Sequence, residues 1–153
     1  RAPDGRRDAP GGVAALVEQF AAAGDDRGAR DRLAADLIER GQLELALECI
    51  DRDARKNVTT VSLLLFHTGR THDAIAHFER LTADDRTTAE VFQLAWILCE
   101  GGPGYAPEPM RALELVQRGP APAAGTPEHT LWQQLLQRVE FAVESARVQA
   151  ADR

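Results

Sequence analysis

Four histidines are the residues best suited to chemistry in this chain, and their spacing argues against it. His67, His72 and His77 stand five residues apart, and His129 is isolated. Two histidines hold zinc from one helix face when they are one turn apart, at i and i+4. A step of five turns the rings to different faces, so no metal is expected, and for His72, with Asp73 and Glu79 the nearest acids, a solvated histidine is the default. Cys49 and Cys99 have no CxxC spacing and fall on apolar stripes. Two buried free thiols are expected, which suits a reducing compartment. Gly101-Gly102-Pro103-Gly104 follows no strand and lacks a Lys-Ser/Thr ending, so it does not read as a phosphate loop. No Ser/His/Asp or Cys/His set carries a known signature. No catalytic residue, cofactor or enzyme activity is expected.

Composition narrows the field further. The 153 residues are 44% hydrophobic and 27% charged, the range of one ordinary globular domain. A net charge of -6 argues against nucleic acid, because phosphate binding needs a basic patch. No apolar run is long enough to span a bilayer, so membrane insertion is not expected. Abundant Ala, Arg and Gly, with Lys56 the only lysine, point to a GC-rich bacterial genome. The expected location is the cytoplasm. Residue 1 is Arg rather than Met, which leaves the periplasm or a longer chain open.

The elements that would position any surface come from one pattern written twice. Leu33-Ala34-x-x-Leu37, Gly41-x-Leu43-x-x-Ala46 and Ile50 are matched 28 residues on by Val61-Ser62-x-x-Leu65, Gly69, Ala74 and Phe78. A fixed period in this range signals a helical repeat array. An i, i+3/i+4 apolar stripe makes each first helix, and a glycine ends it. The alanine of the second helix lets two backbones approach closely. Neither helix buries its stripe alone, so the pairs stack.

Taken in order, residues 1–12 read as a flexible tail or linker, and 13–150 as one domain. An opening helix at 13–23 has Val13, Leu16, Val17 and Phe20 on one face. Units follow at 27–56, 57–84 and 87–119. The second helix of the first unit is predicted over Gln42 to Ala54. Val58 to Thr68 is apolar on more than one face and therefore central. Thr71 is placed to cap the helix it opens. Thr87-Thr88-Ala89-Glu90 is a capping box. Ala112 comes 38 residues after Ala74, so the third unit carries an insertion of about ten residues at its Gly/Pro loop. Thr126-Pro127-Glu128 opens a capping helix over 127–148. Its predicted broad stripe includes Leu131, Trp132, Leu135, Leu136, Val139, Phe141, Ala142 and Val143.

These positions resemble the tetratricopeptide repeat family: Leu33, Ala34, Leu37, Gly41, Leu43, Ala46 and Ile50; Val61, Ser62, Leu65, Gly69, Ala74 and Phe78; Leu94, Ala95, Leu98, Ala112 and Val116. The likeness covers about Arg27 to Arg118. The first spacing is shorter than the family's usual 34 and the third is longer. The alanine the family carries late in the second helix falls at Asp53, Leu81 and Gly119. The resemblance implies an all-α, right-handed α-solenoid of antiparallel helix pairs, about seven helices in all. It also implies a scaffold, adaptor or chaperone that holds a peptide or partner helix in a concave groove.

Carried onto this chain, the groove would be lined by Asp31, Ala35, Ile38 and Glu39, then Thr59, Leu63, Phe66 and His67, then Phe92, Trp96, Cys99 and Glu100. The basic residues of the family's carboxylate-clamping members are absent there. An apolar and aromatic lining with a few acids fits an amphipathic helix with basic flanks. Ile38, Leu63, Phe66, His67, Phe92, Trp96 and Glu100 are the candidate binding residues. The rival reading is a helical accessory domain of a larger enzyme or secretion assembly, packing in cis. Homo-oligomerisation through a terminal helix is left open.

Overall fold

The computed structural model describes residues 13–81 and 83–152. The tail expected at 1–12 lies outside them, as do the side chains of Val13, Val17 and Phe20. The described residues are helices and turns, with an isolated antiparallel bridge between Gly102 and Tyr105 and no strand. The Val-Thr-Thr-Val run from Val58, which has strand propensity, is helical as the repeat register requires. Contacts divide the chain into two compact units, one ending at Thr68 and the other beginning at Gly69.

The first unit contains α1 (Val13–Ala23), α2 (Arg27–Glu39), α3 (Leu43–Cys49) and α4 (Val58–His67). Helix α2 packs on α1 and α3, and α3 packs on α4. The Asp26 carboxylate caps α2 by accepting the Ala29 N–H at 3.1 Å. Gly41 takes a φ of 76° after α2, and the Gln42 N–H reaches back to Leu37 O at 2.9 Å. Leu33, Ala34, Leu37, Ala46, Ile50, Val61, Ser62 and Leu65 are all buried, and Ala46 has no exposed surface. The repeated pattern is therefore core in this unit, apart from the half-buried Leu43 and the exposed turn glycine Gly41.

Helix α3 stops at Cys49, five residues short of the predicted Ala54. The cause is a polar knot that a continued helix would forfeit. Asp31 on α2 accepts the Asp51 N–H at 3.0 Å. The Asn57 amide donates to both Asp31 oxygens, at 3.1 and 3.2 Å, and to Asp51 O at 2.9 Å. Arg30 Nε donates to Cys49 O at 3.1 Å and Arg52 Nε to Leu47 O at 3.2 Å. Guanidinium groups thus satisfy carbonyls that the helix end leaves orphaned. Burial pushes the Asp31 carboxyl up. The bonds from Asp51 and Asn57, with the Lys56 charge, outweigh burial and hold it below its usual 3.8.

The second unit contains α5 (Thr71–Glu79), α6 (Thr88–Glu100), α7 (Pro109–Arg118) and α8 (Pro127–Ala151). Helix α6 packs on α5, α7 and α8, and α7 also packs on α8. Ala74, Phe78, Leu94, Ala95, Leu98, Ala112 and Val116 are buried. The capping box forms as predicted: Thr87 N–H donates to Glu90 Oε1 at 2.8 Å, and Glu90 N–H to Thr87 Oγ1 at 3.2 Å. Thr126 caps α8 through the His129 N–H at 3.1 Å.

Two expectations fail here. Thr71 does not cap α5: the cap position is Arg70, with no side-chain bond. The Thr71 side chain is buried instead, packed so closely on Gly102 that a Cβ there would collide with its hydroxyl. The stripe of α8 is also narrower than predicted. Trp132, Leu135, Val139 and Val143 are buried, but Leu131 is 54% and Phe141 75% exposed. Steps of three and four keep the buried set on one line; Phe141 falls off it, and Leu131, one turn before Leu135, lies at its exposed end.

Candidate partner-binding surface

The seven candidate residues sit on three helices, Ile38 on α2, Leu63, Phe66 and His67 on α4, and Phe92, Trp96 and Glu100 on α6. Steps of three or four keep each set on one helix side. Ile38, Leu63, Phe66, Phe92, Trp96 and Glu100 are half-buried, and His67 is exposed. None has joined the fully buried pattern on the other side of its helix. Cys99, expected beside Trp96, does belong to the core.

Within the first unit, Ile38 lines a cleft of about 290 Å³ with Asp31, Ala35 and Thr60. Three residues that the register assigns to the groove thus border one concavity. The Phe66 ring meets His67 edge-on, with centroids 5.3 Å apart. Within the second unit, Phe92 lines a cleft of about 330 Å³ with Ala89, Leu131 and Trp132. The exposed Leu131 is one wall of it.

The acids assigned to the groove are partly engaged already. Asp31 holds Asn57, the Asp51 N–H and, at 3.5 Å, Lys56. Glu100 is ion-paired with Arg138 of α8. Glu39 is exposed. Among the described residues, no three His, Cys, Asp or Glu side chains cluster to hold a metal ion. Both cysteines are free and buried, and burial pushes the Cys49 thiol above its usual range. No described helix is long and apolar enough to cross a membrane.

Sequence reasoning missed a polar cluster at the Gly/Pro loop. The Tyr105 hydroxyl donates to Glu108, and Arg111 bonds Glu108 at 3.2 Å and the Tyr105 oxygen at 3.4 Å. Arg111 also pairs with Glu79 at the end of α5. The Glu108–Arg111 step of three was a readable signal, whereas Glu79 lies far away in sequence. Burial, then the bond to Glu108 and its charge, push the Tyr105 hydroxyl up to about 12. Because the folded value is raised above 10.0, this tyrosine's stabilising contribution is complete below that pH. It is lost as pH climbs through about 12. Tyr105 is the chain's one tyrosine, so ultraviolet titration reads it alone. The expected midpoint is about 12, and Glu108→Gln is expected to lower it. A wild-type midpoint at 10.0 would remove Glu108 as its partner.

Comparison with protein-family models, with curated proteins and with solved structures gave no match.

Proposed function

We propose that this chain is a non-enzymatic protein–protein interaction module, a tetratricopeptide-like solenoid of helix pairs that holds a partner helix or peptide. The supporting observation is the contrast between the two sides of α4 and α6. One side supplies the buried core; the other keeps Leu63, Phe66, Phe92 and Trp96 only half-buried. Large apolar and aromatic side chains left in this state are the usual anchors of an interface. The clefts at Ile38 and Phe92 add local concavity. With Asp31 and Glu100 already paired, apolar contact carries the affinity. Basic flanks on the partner would meet Glu39 and the overall charge of -6.

The test compares wild type with a Phe66→Ala, Trp96→Ala double variant in capture from a bacterial lysate. The variant's fold is first checked by circular dichroism. Loss of one anchor costs about 2 kcal/mol, so capture is expected to weaken by roughly thirtyfold or more. Unfolding of the variant would make both residues core and remove the groove.

A second reading, an accessory domain that packs in cis, has its own observation. Phe141 and Val148 are 75% and 52% exposed on α8, and no described residue after Val143 is buried. That surface suits a neighbouring domain of a longer chain or a second copy. A strict monomer in sedimentation at high concentration would remove the second copy.

A further inference from the structure

A third cleft, of about 620 Å³, lies wholly within the second unit. It is larger than either cleft at the candidate surface and shares no residue with them. Its volume is that of a small-molecule site. Val91, Leu94, Leu115 and Pro120 give it apolar walls, and Arg86, Arg111 and Arg118 bring three guanidinium groups.

These arginines are not equivalent. Arg111 is committed to Glu79 and Glu108. Arg86 has no ion pair among the described residues, and its Nε is shut off from water with no hydrogen-bond partner. A guanidinium is charged at every accessible pH, and a buried donor without an acceptor is costly. Arg86, in the wall of this cleft, therefore carries a donor whose demand for an acceptor is unmet. Acids are present too. Glu79 is used by Arg111, and Asp84 and Glu114 are exposed, where water and salt screen them.

We propose that this cleft binds a small free carboxylate with an apolar body. Its two oxygens would take Nε–H and one Nη–H of Arg86, the side-on pairing that guanidinium geometry favours. A small swing of the side chain opens Nε to the ligand. The apolar body lies against Val91, Leu115 and Pro120. The site is independent of the groove and does not rest on the proposed interaction function.

The experiment follows the arginine Nε–H resonances of the whole chain by NMR, with sodium hexanoate as the probe. Hexan-1-ol and hexylammonium are the controls. Saturable binding of hexanoate is expected, with a Kd on the order of 1 mM for so few atoms. The Arg86 resonance should move most. Hexan-1-ol and hexylammonium should bind at least about tenfold more weakly, since neither can accept from a guanidinium as a carboxylate does. Arg86→Gln should lose binding by a similar factor. Arg86→Lys, which keeps the charge but not the fork, should lose it too, and replaces the glutamine variant if that one does not fold. Absence of saturation overturns the proposal. So does equal binding of either control, or unchanged binding in the lysine variant. A short leucine-ended peptide that binds while hexanoate does not would assign the cleft to protein C-termini and overturn it as well.

Discussion

Gly101→Ala is expected to destabilise the second unit by about 3–5 kcal/mol, the sum of a forbidden backbone region and a backbone collision. Gly101 follows the last residue of α6 with φ 65° and ψ -161°. That combination lies in a region only glycine occupies comfortably. A Cβ there would meet Tyr105 O at 2.7 Å and Pro107 N and Cδ at 2.9 Å. None of these atoms is the end of a flexible side chain. Tyr105 O is tied to Gly102 N–H at 3.0 Å, and the Glu108 N–H holds Leu98 O at 2.8 Å. The loop therefore has little freedom to move aside.

Gly69→Ala is the internal control. Gly69 has φ 84°, but nothing lies within 4 Å of the added methyl. Only the conformational cost remains, about 1–2 kcal/mol. Urea unfolding of the two variants separates the effects. If Gly101→Ala costs no more than Gly69→Ala, the loop is free to relax and the collision carries no energy. The same clamp holds Tyr105 beside Glu108, so Gly101→Ala should also move the tyrosine titration toward its ordinary 10.0.

What was legible in the sequence was local. The local pattern that marks Ala46, Ala74 and Ala112, a small residue with a larger apolar one a turn later, spans one or two helical turns, and all three alanines have no exposed surface. The caps at Thr87 and Thr126 were readable for the same reason, since each is closed within three residues. What sequence reasoning missed needed partners distant in the chain. Asp31 was assigned to a groove, yet it also terminates α3 through Asp51 and Asn57, which are 20 and 26 residues away. Thr71 looks like a cap until Gly102 packs on it. Glu100 carries the polar end of its helix side, but Arg138 answers it from α8. Apolar composition did not give the width of the buried α8 stripe, so Leu131 and Phe141 were counted into it although both are exposed. The candidate groove was legible only as a register on α2, α4 and α6. That register does place Phe92 and Ile38 at clefts.

Phe78→Ala is expected to cost about 3–5 kcal/mol, the range for removing a fully buried aromatic ring. Phe78 is 0% exposed on α5, one turn beyond Ala74, which is also 0% exposed. An alanine in its place leaves a cavity that the packed side chains around it close only in part. Against a domain stability of about 5–15 kcal/mol, the unit should be near its unfolding threshold. Its repeat counterpart, Ile50, is 5% exposed in the first unit. If the two positions are equivalent wedges between paired helices, Phe78→Ile should keep the wedge. Its expected cost is below about 1.5 kcal/mol, the limit for swaps that nearly conserve volume and apolarity. Urea midpoints at a constant slope would give both numbers. Equal costs for Ala and Ile would show that the ring itself, not an apolar wedge one turn from a small residue, is what the site requires. The 28-residue correspondence between Ile50 and Phe78 would then carry no structural meaning.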